Sequence, residues 1–261
     1  MEKKRIKILG INCGHRKMKD GSPFNTGFLV NTALEAAYKF GQKISERVNI
    51  ETEYIDMADK DKKIRPCLHC NRRHEIPDEY SGTERPKAGC IIKNDYMKIL
   101  WEKIAESHGF VLGSPVFTGS YTSNFRILFE RLQAANWSGA VTFKPSGCVT
   151  TAYMPIGGQE SCLEHMMACM RFIEMVPVNW LHGAPGVSGP PYGPTPYEDD
   201  GTKRGVEKDN YGKWLARMVG RRVAEWAVLL NLGMDAIGGE LFKREFIQSY
   251  HPPHGKESWW W

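Results

Sequence analysis

The chain has 261 residues, 41% of them hydrophobic and 25% charged, and carries a formal net charge of +5. This is a globular composition with a sizeable core, and the mild, scattered basic balance suits an anionic small ligand but argues against nucleic acid as a partner. No apolar run reaches the ~18 residues of a membrane span, and residues 1–5 lead into a strand without a signal-peptide core; with seven cysteines read as thiols or ligands, not disulfides, the expected compartment is the cytoplasm.

In chain order, residues 5–11 read as a short apolar strand. A polar, glycine-containing loop follows over 12–23. Asn25 and Thr26 then open an amphipathic helix with Leu29, Val30, Ala33, Leu34 and Ala37 on one side. Strand, loop and helix start form the architecture of an anion site: free backbone N–H groups and the positive helix end point at one place. Arg16 and Lys17 add charge; Ser22, Asn25 and Thr26 add side-chain donors. The same stretch also reads as an ordinary strand–helix turn capped by Asn25 or Thr26. It matches neither G-x-G-x-x-G nor G-x-x-x-x-G-K-S/T.

Residues 48–57 give the second strand, whose alternation predicts a half-exposed sheet edge. Residues 58–92 are a long polar excursion with Pro66, Pro77 and Pro86, and loops of this length tend to be functional. The set Met97, Leu100, Trp101 and Ile104 marks one face of a helix from Asp95 to about Ser107. Gly109 to Gly113 is a short, fully apolar central strand. Residues 114–121 leave it, and a helix runs from about Thr122 to Ala135. A fourth strand lies around 147–151. Gly157, Gly158, Gln159 and Glu160 open a helix bearing Leu163, Met166, Met167 and Met170, and Met175 to Leu181 reads as the fifth strand. Residues 182–209 look like a second long loop, rich in Gly and Pro. A last helix, from Tyr211 to about Leu232, carries Leu215, Met218, Val219, Val223 and Ala227, with Trp214 and Trp226 expected in the core. The tail from Gly233 is irregular and ends in Trp259, Trp260 and Trp261, which suit a subunit interface.

Strands and helices alternate, which predicts an α/β fold: a doubly wound, five-stranded parallel sheet in the order 2-1-3-4-5, with long loops and a C-terminal extension. Its ligand is expected outside the carboxyl ends of strands one and three. The expected division is a main domain over 1–232, with 58–92 and 182–209 as insertions, and an extension over 233–261.

Three loops resemble, in order, those of the flavodoxin-like NAD(P)H-dependent FMN reductases. Residues 10–26 resemble the phosphate loop, although the stretch from Lys17 to Gly21 is inserted relative to the family's compact form. Residues 113–120, Gly-Ser-Pro-Val-Phe-Thr-Gly-Ser, resemble the isoalloxazine loop, and Gly157-Gly158-Gln159-Glu160 the third flavin loop. The resemblance implies a flavodoxin-like fold with FMN as cofactor and NAD(P)H as co-substrate. It implies phosphate contacts around Asn12, Gly14, Arg16, Ser22, Asn25 and Thr26. Pro115, Val116 and Phe117 would form an apolar wall, with N–H groups around Thr118, Gly119 and Ser120 at the ring's polar edge. Gly157 and Gly158 would allow close backbone approach, with Tyr153 packed beside the ring. No catalytic side chain and no metal ligand is assigned. The acceptor would be a small molecule (flavin, quinone or electrophilic aromatic), and the assembly a homodimer or homotetramer.

Pro66-Cys67-Leu68-His69-Cys70 and Cys90 also resemble the iron–sulfur flavoprotein branch, which implies an alternative: an electron-transfer protein with a redox protein partner. A cluster usually needs four thiolates, and here Asn71, Arg72 and Arg73 stand where a further ligand is expected. Completion by His74, zinc bound by the three cysteines and a histidine, or plain thiols without metal all remain open. Cys13, Cys148, Cys162 and Cys169 read as small core residues. A third reading keeps the fold without FMN, as a sensor or scaffold.

Overall fold

The computed structural model describes residues 3–69, 90, 92, 94–133, 139–179, 183–195, 197–242 and 246. Strand β1 (Lys4–Asn12) leads to helix α1 (Asn25–Lys43) and strand β2 (Val48–Asp56). Next come α2 (Met97–Glu106), β3 (Gly109–Pro115), α3 (Ser123–Arg131), β4 (Pro145–Ala152) and α4 (Gln159–Phe172). Two short strands, β5 (Val176–Pro177) and β6 (Ala184–Val187), precede the long helix α5 (Asn210–Ile237) and the single turn α6 (Gly239–Phe242). The sheet is parallel, with the path β2-β1-β3-β4-β5. The chain is thus a flavodoxin-like doubly wound α/β fold, with β2 at the half-exposed edge.

The fifth position of the sheet differs from the expected single strand over 175–181. β5 pairs only with Pro145 and Ser146 at the start of β4, while β6 pairs with Val149–Ala152 at its end. A strand therefore lies inside the segment expected to be loop, and it extends the sheet next to the β4 end that faces the loops.

Alternation along each strand divides the core. Ile6 and Ile8 of β1, with Val111 and Val149, pack under α1 and α5. Leu9 and Ile11, with Phe110, Leu112 and Cys148, pack under α2, α3 and α4. All four apolar residues expected on α4 are buried; on α2, Met97, Leu100 and Ile104 are buried and Trp101 packs at the border. Trp214 and Trp226 are corrections: each is 40% exposed. The core-facing stripe of α5 runs through Leu215, Ala216, Val219, Val223 and Ala227, and the tryptophans fall beside it. Trp214 stacks on Tyr211 at 5.6 Å.

Gly220 lets α5 cross α1 backbone to backbone. A Cβ at this position would lie 1.9 Å from the carbonyl oxygen of Ala33. Overfilling a packed contact typically costs about 1–3 kcal/mol. Gly220→Ala should therefore lower the melting temperature by about 3–10 °C for a domain of this size. An unchanged melting curve would show that the helices part without penalty.

Arg65 and Ile92 meet beside α3. Arg131, with a side chain 1% exposed, donates to the carbonyl oxygens of Arg65 (2.9 Å) and Ile92 (3.2 Å) and pairs with Asp95 at 2.7 Å. It also contacts the Cys90 side chain.

Candidate functional site

The loop after β1 is tied to three neighbouring elements. Asn12 is buried; its Nδ2 donates to Asp56 Oδ1 on β2 at 2.8 Å, and its Oδ1 accepts from Gly14 N at 3.1 Å. Cys13 N donates to Gly113 O on β3. Thr122 Oγ1 donates to Cys13 O, and Asn124 Nδ2 to Gly14 O, from the start of α3. Beyond this anchor the loop turns outward. The His15 ring lies 5.6 Å from the Phe117 ring and its Nε2 is 3.2 Å from Ser123 Oγ. Burial, and behind it Lys63, holds the His15 imidazole below its ordinary pKa. The Arg16 guanidinium pairs with Asp199 and sits 4.4 Å above the Phe24 ring. Lys17 pairs with Asp59.

Helix α1 begins where that loop returns. Its first ladder bond runs from Phe28 N to Phe24 O at 2.8 Å, so the N–H groups of Asn25, Thr26 and Gly27 stand outside the ladder. The side chains of Asn25 and Thr26 face inward: Asn25 Oδ1 accepts from Val206 N, and Thr26 Oγ1 meets Thr151 Oγ1 of β4 at 2.5 Å. The donors at this helix end are therefore backbone groups. Arg204, absent from the expected site, donates through Nε to Pro23 O at 2.7 Å and through Nη2 to Ser22 Oγ, and lies over the Phe28 ring. In the sequence it is one cation in a Gly/Pro-rich stretch about 180 residues away, and no spacing signal links the two.

The loop after β3 closes in a tight hairpin. Phe117 N donates to Ser120 O at 2.7 Å and Ser120 N to Phe117 O at 3.0 Å. Thr118 (φ 51) and Gly119 (φ 75) are both left-handed, as a type I′ turn demands, and their N–H groups lie outside the two cross-turn bonds. Pro115 and Val116 are half-buried behind the turn, Phe117 is half exposed, and Ser120 Oγ lies 3.0 Å from His165 Nδ1.

The loop after β4 reaches this turn. Gly157 N donates to Gln159 Oε1 and Gln159 Nε2 to Met154 O, both at 2.8 Å, which folds the loop back on the start of α4. Gly158 is left-handed (φ 91), and a Cβ there would stand 3.3 Å from Gly119 Cα. Tyr153, Met154 and Ile156 are exposed beside the contact.

The structure thus brings residues 12–26, 115–120 and 153–158 to the carboxyl ends of β1, β3 and β4. Cys13, Cys148 and Cys162 are buried core thiols; burial pushes Cys148 up to about 12 and Cys162 to about 11. Cys169 is partly buried against the core. Cys67 and Cys90 are half-buried, while Cys70, His74 and Trp259 to Trp261 lie outside the described residues. Among the described residues no three His, Cys, Asp or Glu side chains gather as a metal site. No described helix is long and apolar enough to cross a membrane.

A doubly wound parallel sheet with three loops converging at its switch point defines the flavodoxin-like class of fold. The chain belongs to the NADPH-dependent FMN reductase family, whose model matches residues 6–183. FMN is the cofactor and NAD(P)H the co-substrate of this family, and the chain is a flavin-dependent oxidoreductase. It is similar to an iron–sulfur flavoprotein of Methanocaldococcus jannaschii, with 28% identity over 229 residues, covering 87% of this chain and 100% of that one. An iron–sulfur flavoprotein of Methanosarcina thermophila is 25% identical over 176 residues, covering 66% and 77%. Among solved structures, RosB with bound 8-demethyl-8-formylriboflavin-5'-phosphate aligns at TM-score 0.58 with 17% identity, covering 92% of this chain and 87% of that one. A WrbA-like protein from Agrobacterium tumefaciens aligns at 0.53 with 12% identity, covering 86% and 98%. At these identities the structural likenesses concern the fold.

Proposed function

We propose that the protein takes a hydride from NADPH or NADH onto bound FMN and passes the electrons to a small acceptor: a free flavin, a quinone or an electrophilic aromatic compound. The observation that carries this reading is the Gly158–Gly119 contact, which joins the loops after β3 and β4 into one surface. The chain's donor set fits FMN there. Gly158 lies so close to the turn that a Cβ there would stand 3.3 Å from Gly119 Cα, and two left-handed residues leave the N–H groups of Thr118 and Gly119 free for a ring edge. When bound, FMN supplies the ring that accepts and returns the electrons.

The chain's own residues bind and orient. Backbone N–H groups of Asn25, Thr26 and Gly27, with Arg16, form the phosphate end. Asn12, Gly14 and the side chains of Ser22, Asn25 and Thr26 hold that loop in shape. Pro115, Val116, Phe117 and Tyr153 wall the ring, and Gly157 and Gly158 admit it. The Thr118 and Gly119 N–H groups stabilise charge at the polar edge, and Ser120 closes the turn that carries them. No side-chain acid or base is assigned. Exposed Met154 and Ile156 beside the site suit assembly into a homodimer or homotetramer. The main domain over 1–232 would carry this chemistry.

Anaerobically purified protein should show flavin absorption bands that bleach on adding NADPH. Protein that is colourless and takes up no added FMN would defeat this function. The relatives' names favour a second reading, an electron carrier with an iron–sulfur cluster. Bound iron, a broad brown absorption shoulder and slow NADPH oxidation would move the assignment there.

A further inference from the structure

Outside the loops already described, a cavity of about 640 Å³ opens between α3 and α4, lined in part by Tyr121, Arg126, Phe129, His165 and Cys169. It begins at Ser120, so one residue belongs both to the cavity and to the turn after β3. The link between them is the 3.0 Å contact of Ser120 Oγ with His165 Nδ1. The Tyr121 ring stands edge-on to the imidazole at 6.5 Å.

The turn needs such a link. A left-handed non-glycine residue such as Thr118 is strained by about 1–2 kcal/mol, and residues 117–119 are exposed, with little packing to hold them. Backbone bonds between Phe117 and Ser120 close the turn without setting its angle to the sheet. Beyond the bond from Val116 N to Thr151 O at its base and the His15 ring beside Phe117, two contacts with α4 set that angle: Gly158 against Gly119 at the helix start, and His165 on Ser120 two turns on.

We infer that His165 is a positioning residue for the flavin: it grips Ser120 so that the Thr118 and Gly119 N–H groups keep the aim that the ring requires. The inference rests on the proposed function of this turn. It assigns His165 no contact with the ring. Because His165 is exposed and borders a cavity, its truncation removes the grip without opening the core.

The test is titration of the apoprotein with FMN, followed by flavin fluorescence, on the wild type, His165→Ala, Ser120→Ala, the double variant and His165→Asn. One net hydrogen bond of about 1 kcal/mol corresponds to about a fivefold change in Kd. His165→Ala and Ser120→Ala should each weaken FMN binding by about that factor, and the double variant should be no weaker than either single one. His165→Asn keeps a polar atom where Nδ1 stands and should recover most of the affinity, with the melting temperature unchanged throughout. Wild-type affinity in His165→Ala, losses that multiply in the double variant, or no recovery in His165→Asn would overturn the inference while leaving FMN binding intact. A wild type that binds no FMN would instead overturn the proposed function and this inference with it.

Discussion

Gly158→Val is expected to purify without flavin and to oxidise NADPH only at background rate. Two effects combine. Position 158 is at φ 91, where a β-branched residue is strained by about 1–3 kcal/mol. Its new Cβ would also stand 3.3 Å from Gly119 Cα and 3.6 Å from Val116 Cγ1, pushing the third loop off the turn that it touches. A loss of about 3 kcal/mol weakens FMN roughly a hundredfold. The change sits at the mouth of the site, so far-ultraviolet circular dichroism should be unaltered. Normal flavin content and normal turnover would remove Gly158 from the site.

Asp95→Asn should cost more in stability than any surface change. The Asp95 side chain is 4% exposed and its partner Arg131 1% exposed. Removing one member of a buried pair leaves an uncompensated charge, at about 3–5 kcal/mol. Chemical denaturation at neutral pH measures this directly, and a loss under ~1 kcal/mol would mean that water reaches the guanidinium. The pair also has an acid signature. Burial alone would raise the Asp95 pKa; the Arg131 bond, with backbone donation from Arg65 and Met97, outweighs it and holds the carboxyl below its ordinary value. The folded pKa is thus the lower one, so the stabilisation is complete above about pH 4 and fades as pH falls through the folded value. In Asp95→Asn that part of the acid dependence should vanish.

The sheet order was legible because β3 is an apolar run from Gly109 to Gly113 and β2 alternates, so centre and edge could be told apart. The split fifth position was not. Ala184–Val187 reads Ala-Pro-Gly-Val, a loop composition, and becomes a strand only because β4 offers it an open edge at Val149–Ala152. Helix α5 runs past its expected end near Leu232, to Ile237. Gly233 continues the helix, and Gly238, at φ 97, ends it by donating to Met234 O and Asp235 O. Trp214 and Trp226 show that periodicity finds a stripe but not its borders.

At the site, loop positions could be read and side-chain directions could not. Asn25 and Thr26 have the chemistry of anion donors, yet the partners that turn them inward, Val206 and Thr151, arrive from far along the chain. Arg204 was missed for the same reason. The His165 contact with Ser120 depends on how α4 packs beside α3.

The grip of Arg131 on Arg65 and Ile92 has an evolutionary consequence. Both feet of the 65–92 stretch are stapled to one side chain of α3, which separates the length of that stretch from the geometry of the sheet. Once the feet are fixed, doubling the number of residues between them adds only about 0.6 kcal/mol of closure entropy. The number of residues between the two anchors can therefore change while the sheet stays as it is. Diversity among descendants of this fold should therefore gather between positions 65 and 92 and stop abruptly at Asp95.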